Sequence, residues 1–200
     1  MKFDIIVADP PWNFGDPLKN MKMKTKRSAI SQYKTMGLAD INRLPVKQLI
    51  NPKGAVLALW VPSSMIKDGI HVMESWGFTL KSTFVWVKLK KDFAKEKDWN
   101  NSTRVGMGRL FRQAHEIALI GTFKSPYSNL QNKSQRSVCF DLNVSHSTKP
   151  ETLQDRLDLM FPSASKLELF ARRHRQGWTC LGDQLNNTDI DLMLNNLITL

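Results

Sequence analysis

Residues 3–12 read Phe-Asp-Ile-Ile-Val-Ala-Asp-Pro-Pro-Trp, and this stretch decides the fold. Ile5, Ile6, Val7 and Ala8 form an unbroken apolar run, the pattern of a strand buried on both faces. Pro10 and Pro11 have no N–H to give a ladder, so the strand of residues 3–8 stops at Asp9. A carboxylate at the end of a buried strand lies where open α/β sheets hold their ligands. Working outward, residues 55–61 (AVLALWV), 79–87, 116–121, 166–171 and 178–181 read as further strands. Residues 65–75 carry Ile66, Ile70 and Met73 at helical spacing, and Gly77 ends that helix. Pro150 fits a first helical turn, followed by a stripe of Leu153, Leu157 and Met160. Strands alternating with helices predict an α/β fold, a mostly parallel sheet with helices on both faces. Residues 1–185 form the expected domain. The tail 186–200 carries Ile190, Met193, Leu194, Leu197 and Ile198 and reads as a helix that docks on that domain or on a partner, with its own domain favoured. Residues 16–33 lack periodicity and read as a long mobile loop, of a length that is functional or disordered in compact domains.

Composition narrows the class. A chain of 200 residues with 42% hydrophobic content can bury a full core. Cys139 and Cys180 have no metal-type spacing, so neither a disulfide framework nor a bound metal is expected, and a reducing, cytoplasmic setting suits them. No apolar run reaches the roughly 18 residues of a membrane span, and no signal peptide is expected. Lys and Arg number 29 against 18 Asp and Glu, a net charge of +11 that favours a polyanionic partner. The excess is clustered at Lys19, Lys22, Lys24, Lys26 and Arg27, at Lys88, Lys90, Lys91, Lys95 and Lys97, and at Arg172, Arg173 and Arg175. Asp92, Glu96 and Asp98 dilute the second cluster, which reads equally as a solvated face.

Asp9-Pro10-Pro11-Trp12 carries a specific chemistry. The amino group of adenine is a poor nucleophile because its lone pair is delocalised into the ring. A carboxylate and a backbone carbonyl that accept its two hydrogens turn the nitrogen toward tetrahedral geometry. Locked φ angles in the Pro-Pro unit fix that carbonyl, and the Trp ring offers a face on which a base can stack. Taken alone, the tetrapeptide reads as well as a strand-ending turn beside a buried Trp.

With the elements that follow it, the chain resembles the MT-A-seventy family of adenine-N6 methyltransferases. The matching elements are Asp9-Pro10-Pro11-Trp12, Tyr33-Lys34-Thr35-Met36, Trp76-Gly77-Phe78 with Trp86 and Lys88, and Gly106-Met107-Gly108 with His115-Glu116. They continue with His146-Ser147-Thr148-Lys149-Pro150-Glu151, Glu168-Leu169-Phe170-Ala171-Arg172, Gly177-Trp178 and Gly182-Asp183. The resemblance implies a Rossmann-like methyltransferase of permuted motif order that uses S-adenosylmethionine to methylate adenine N6 by direct in-line transfer. It implies that Asp9 and Pro10 hold the amine, that Asp9 and Pro11 lie near the methyl donor, and that Trp12 and Tyr33 flank the base. Glu116 is implied to help form the base pocket or its rim, and the charge cluster makes Lys22, Lys24, Lys26 and Arg27 the expected contacts to the nucleic acid. Lys149, Glu168, Phe170, Arg172, His174, Asp183 and Gln184 are implied to form the cofactor side. There is no glycine-rich cofactor loop, whose place the family gives to Glu-Leu-Phe-Ala-Arg. The upstream acidic residue of many relatives has no counterpart before the catalytic strand.

DNA is expected as the substrate, on the likeness to compact DNA-modifying members. A target base in a duplex must leave the stack, so single strands are expected to react faster. A short or relaxed recognition preference is expected, and relatives often pair, as homodimers or with a partner subunit. The alternatives are an RNA adenine-N6 methyltransferase, a catalytically silent nucleic-acid-binding subunit of a methyltransferase complex, and a basic binding module without cofactor.

Overall fold

The computed structural model describes residues 1–13, 35–106, 110–142, 149–186 and 188–199. Tyr33, Lys22, Lys24, Lys26, Arg27 and His146 lie outside the described residues. Seven strands form one sheet: β1 (Ile5–Ala8), β2 (Gly54–Val61), β3 (Thr79–Leu89), β4 (His115–Lys124), β5 (Val138–Leu142), β6 (Lys166–Leu169) and β7 (Thr179–Leu181). Their order is β5-β3-β4-β2-β1-β6-β7. All neighbouring pairs are parallel except those of β4, which runs antiparallel to both β2 and β3.

Central strands and edge strands differ as their sequences require. β1 and β2 are buried along their whole length, so apolar residues occupy both faces. Helices α1 (Leu38–Arg43), α2 (Ile66–Ser75) and α6 (Ile190–Thr199) join one core, with Ile6, Leu57, Leu59, Val72, Met73, Leu194 and Leu197. Helix α4 (Thr152–Met160) covers the other face, where Leu153 and Leu157 meet Val7, Val56, Ala58 and Trp60. The apolar residues of the tail thus pack into the same core as β1. Gly77 follows α2 with φ 92°, a left-handed stop that glycine adopts without a Cβ clash. Among the described residues no helix is long and apolar enough to cross a membrane.

Three local expectations are corrected. Pro150 precedes α4, whose N-cap is Glu151, so it stands outside the first turn. The sixth strand of the sheet ends at Leu169, two residues short of the expected 171, because Phe170 turns the chain with φ 62°. β5 and α1 were not expected. β5 is an edge strand that buries little besides Cys139, and α1 has six residues with Ile41 alone buried, so neither carries a full apolar period.

The topology places the ligand crevice. The chain leaves β1 for β2 on one side, and returns through α4 to β6 on the other. The carboxyl ends of β1 and β6 therefore flank a switch point, where such sheets bind ligands. Because β4 is antiparallel, its first residues, His115 and Glu116, reach this same edge.

Candidate active site

Asp9 follows β1 directly, and its backbone N–H points to Leu169 O at 3.4 Å. Its carboxylate is clamped by Lys149, with Nζ 2.8 Å from Oδ1 and 2.9 Å from Oδ2. Lys149 also lies 3.2 Å from Glu116 Oε2 and 5.5 Å above the Trp60 ring. Lys88 closes the chain of charges with an ion pair to the other Glu116 oxygen, and sits 5.2 Å from the Trp86 ring. Two carboxylates and two ammonium groups thus alternate along one line. Burial works against the charge on Glu116, but Lys149 and Lys88 outweigh it and hold the carboxyl below its ordinary 4.5. Burial likewise opposes the charge on Lys149, and Asp9 and Glu116 outweigh it, raising that amine above 10.5. Both groups are therefore ionised at neutral pH.

The Pro-Pro unit aims two carbonyls. Pro10 O accepts the Trp12 N–H at 2.9 Å, and Pro11 O accepts the Met36 N–H at 2.9 Å. Each carbonyl oxygen keeps a second lone pair. Trp12 differs from its expected stacking role. Its ring is only 6% exposed and packs in the core, and its indole N–H donates to Trp60 O at 2.9 Å. An apolar ring at the end of a buried strand gains more from burial than from facing solvent. Trp12 acts here as the wall that fixes Asp9 and the prolines.

A narrow cleft opens beside Asp9. Asp9, Lys149, Glu168, Phe170 and Arg172 line it, joined by Val7, Trp60, Gln154 and Arg173. The left-handed φ of Phe170, costly for a residue with a Cβ, bends the chain at the cleft. Two buried polar atoms there have no hydrogen-bond partner among the described residues, the Trp60 indole N–H and Gln154 Oε1. Such orphans inside a core are costly unless a ligand meets them. Sequence reading missed both residues, because a Trp in a buried strand and a Gln on a helix read as core and surface. Burial dominates Glu168 and raises its carboxyl above 4.5, against a hydrogen bond from Gln154.

Other expected residues stand elsewhere. Asp183 lines a separate depression with Thr35, Met36, Asp40 and Ile190. Gln184 and His174 are exposed, and neither they nor Pro11 are among the lining residues of the cleft. Gly182 explains how the last strand approaches, since a Cβ there would lie 2.1 Å from Ala171 O. Any side chain at that position would push α5 (Asp183–Asn186) and its Asp183 away from β6. Several recurrent motif residues serve the scaffold. Trp76 and Phe78 are core residues, and Trp76 donates to Ile41 O at 3.0 Å. Glu151 pairs with Arg173 and Arg175, and Arg175 also meets Asp155 at 2.6 Å and Asp158 at 2.7 Å. This fan ties α4 to the β6–β7 loop and so positions Lys149. Burial pushes the Cys139 thiol up to about 11, which leaves it a poor nucleophile.

Comparison with known proteins matches this arrangement to one family. The MT-A70 family model covers residues 3–184. The type II methyltransferase M.MunI of Mycoplasma sp is 28% identical over 96% of this chain and 81% of its own length. The N(6)-adenosine-methyltransferase MT-A70-like protein of Arabidopsis thaliana is 29% identical, over 92% of this chain but 24% of its own length. The human N(6)-adenosine-methyltransferase catalytic subunit METTL3 is 25% identical, over 92% of this chain and 28% of its own length. The model spans every strand of the sheet and both ends of the Asp9–Lys149 clamp, and the chain accordingly belongs to the MT-A70 family of methyltransferases.

Proposed function

We propose that this chain transfers a methyl group from S-adenosylmethionine to the N6 amine of adenine in nucleic acid, with DNA as the polymer. The observation that carries the reading is the placement of Asp9 between the Lys149 clamp and the cleft of Glu168, Phe170 and Arg172. When bound, S-adenosylmethionine supplies an activated methyl group on a sulfonium. The cleft fits it chemically. Lys149 and Arg172 offer cations for a carboxylate, Glu168 offers acceptors for hydroxyl or ammonium groups, and Trp60 and Gln154 hold one unpartnered donor and acceptor. Asp183 would be recruited from the neighbouring depression. On the base side, Asp9 and Pro10 O accept the two amine hydrogens, and Pro11 and Trp12 hold them in place. Glu116 keeps Lys149 oriented at the rim, and Tyr33 closes over the base. Lys22, Lys24, Lys26 and Arg27 meet the phosphates. Alignment and preorganised charge supply the acceleration.

DNA is favoured by the likeness to compact DNA-modifying members. The match to the Mycoplasma type II methyltransferase supports it further. Labelled-methyl transfer to matched DNA and RNA oligomers, single-stranded and paired, tests it. Transfer to adenine in single-stranded DNA is expected to be fastest. Absence of transfer to every adenine polymer, with no S-adenosylmethionine binding by calorimetry, would end the reading.

Glu168 separates stability from function. Its carboxyl is raised, so its ionised form costs folding free energy, a cost that appears as pH rises through the folded value above 4.5. Glu168→Gln is expected to keep or raise Tm at pH 7 and to weaken S-adenosylmethionine at least tenfold. Thermal melts and calorimetry check both, and a lowered Tm with unchanged binding would contradict the assignment.

A further inference from the structure

Two large aromatic rings stand in the open at the edge of the sheet. Trp99 is 67% exposed and Phe140 is 53% exposed, and their rings meet at 5.5 Å with a 50° tilt. Neither side chain belongs to the core, and neither is used by the site described above. Phe140 alternates with the buried Cys139, so it faces away from α4, beside the less exposed Val138. Trp99 begins the short helix α3 (Trp99–Ser102). The chain around α3 folds back on the end of β3, through Lys90 N–H to Ser102 O at 3.0 Å and Arg104 N–H to Lys88 O at 2.7 Å. The pair is thereby fixed to the strand end that carries Lys88, itself paired with Glu116 of the candidate site.

Lys91, Lys95 and Lys97 are exposed between β3 and Trp99, interleaved with the exposed acids Asp92, Glu96 and Asp98, and with Lys88, Lys90 and Arg104 of the adjoining chain they give residues 88–104 six cations against three acids. The Asp98 carboxylate is engaged, accepting the Asn100 N–H at 3.0 Å as the cap of α3. Exposed rings set beside lysines form a stacking platform with an electrostatic funnel, the composition that holds single-stranded nucleic acid.

We propose that Trp99 and Phe140 stack bases of the substrate strand flanking the target adenine, with Lys91, Lys95 and Lys97 holding its phosphates. The inference rests on the methyltransferase reading for the class of polymer. β5 stands four strands from β1 in the sheet, about 19 Å at roughly 4.8 Å per strand. The platform therefore engages bases several positions from the target.

The experiment measures the affinity of the full chain for a labelled 20-nucleotide dT strand and its uridine counterpart, which hold no target adenine. Trp99→Ala with Phe140→Ala is expected to weaken the preferred strand roughly tenfold or more, while Trp99→Phe retains most of the affinity. S-adenosylmethionine binding, Tm and sedimentation are expected to stay as in the wild type. Methylation of a six-nucleotide substrate centred on the target is expected to change little, whereas KM for a 20-nucleotide substrate rises with kcat unchanged. Lys91→Glu with Lys95→Glu is expected to flatten the salt dependence of binding. Affinities within twofold of the wild type for both aromatic replacements would overturn the proposal. So would a change of oligomeric state on replacing the rings, which would mark the face as a protein interface. A wild type that binds the dT strand through these rings yet methylates nothing would refute the methyltransferase reading and leave the platform standing.

Discussion

Asp9→Asn is expected to reduce methyl transfer roughly a thousandfold, as for the loss of a preorganised polar group aimed at a reacting centre. The substitution keeps shape and one acceptor oxygen, and replaces the other by an amide that donates. An amine hydrogen at that position then meets a donor, so the nitrogen loses the contact that localises its lone pair. The Pro10 carbonyl stays in place, because the Trp12 N–H and the Pro-Pro backbone hold it independently of the carboxylate. Asn at position 9 also releases Lys149 from its bidentate clamp, leaving it on Glu116 alone. Tm is expected to fall by only a few degrees, since β1 and the Trp12 wall are untouched. The check is single-turnover transfer beside a thermal melt. Activity within tenfold of the wild type, with an intact fold, would remove Asp9 from the catalytic role.

Lys149→Met is expected to lower both stability and activity. The side chain is 18% exposed and faces carboxylates that are 22% and 31% exposed. Breaking a fully buried pair costs roughly 3–5 kcal/mol. Lys88 still serves Glu116 here and solvent reaches both acids, so about 2–3 kcal/mol is expected. That corresponds to roughly 4–12 °C in Tm for a chain of this size. The pH dependence identifies the cause. In the wild type the Glu116 carboxyl is lowered, so its contribution is present above 4.5 and is lost as pH falls through the lower folded value. Without Lys149, burial becomes the ruling influence on Glu116 and its carboxyl rises. The Tm gap between the two proteins is therefore expected to be widest near neutrality and to narrow below pH 4.5. The raised Lys149 amine contributes throughout that range, because its share is lost only as pH rises past its folded value above 10.5. A gap that stays constant from pH 3.5 to pH 8 would mean that Lys149 matters through packing and not charge. Methyl transfer is expected to fall at least a hundredfold, read by the same single-turnover assay, because Asp9 loses its cation and the cleft loses one of its three.

Much of this site was legible in the chain before folding. The apolar run Ile5–Ala8 stopped by Asp9 and two prolines locates a buried strand and its exposed acid, because burial pattern and missing N–H groups are properties of neighbours in sequence. The same is true of β2, α2 and α4, whose periods span whole elements. β5 was illegible because an edge strand buries one face and bonds one neighbour. Trp12 was legible as an aromatic beside the site, but its burial depends on the Trp60 carbonyl 48 residues away.

By itself, then, the amino-acid sequence determined the α/β alternation, the Asp9-Pro10-Pro11-Trp12 tetrapeptide at a strand end, the basic surplus and the family. Only the tertiary structure decided that Lys149 closes on Asp9 across 140 residues, and that antiparallel β4 brings Glu116 to the same edge. It alone separated Asp183 from the cleft, left Trp60 and Gln154 facing it with unpartnered atoms, and placed Trp99 beside Phe140. The reason is physical. Periodicity records which face of an element is buried, whereas strand order and direction set which distant side chains meet, and these follow from the packing of the whole sheet.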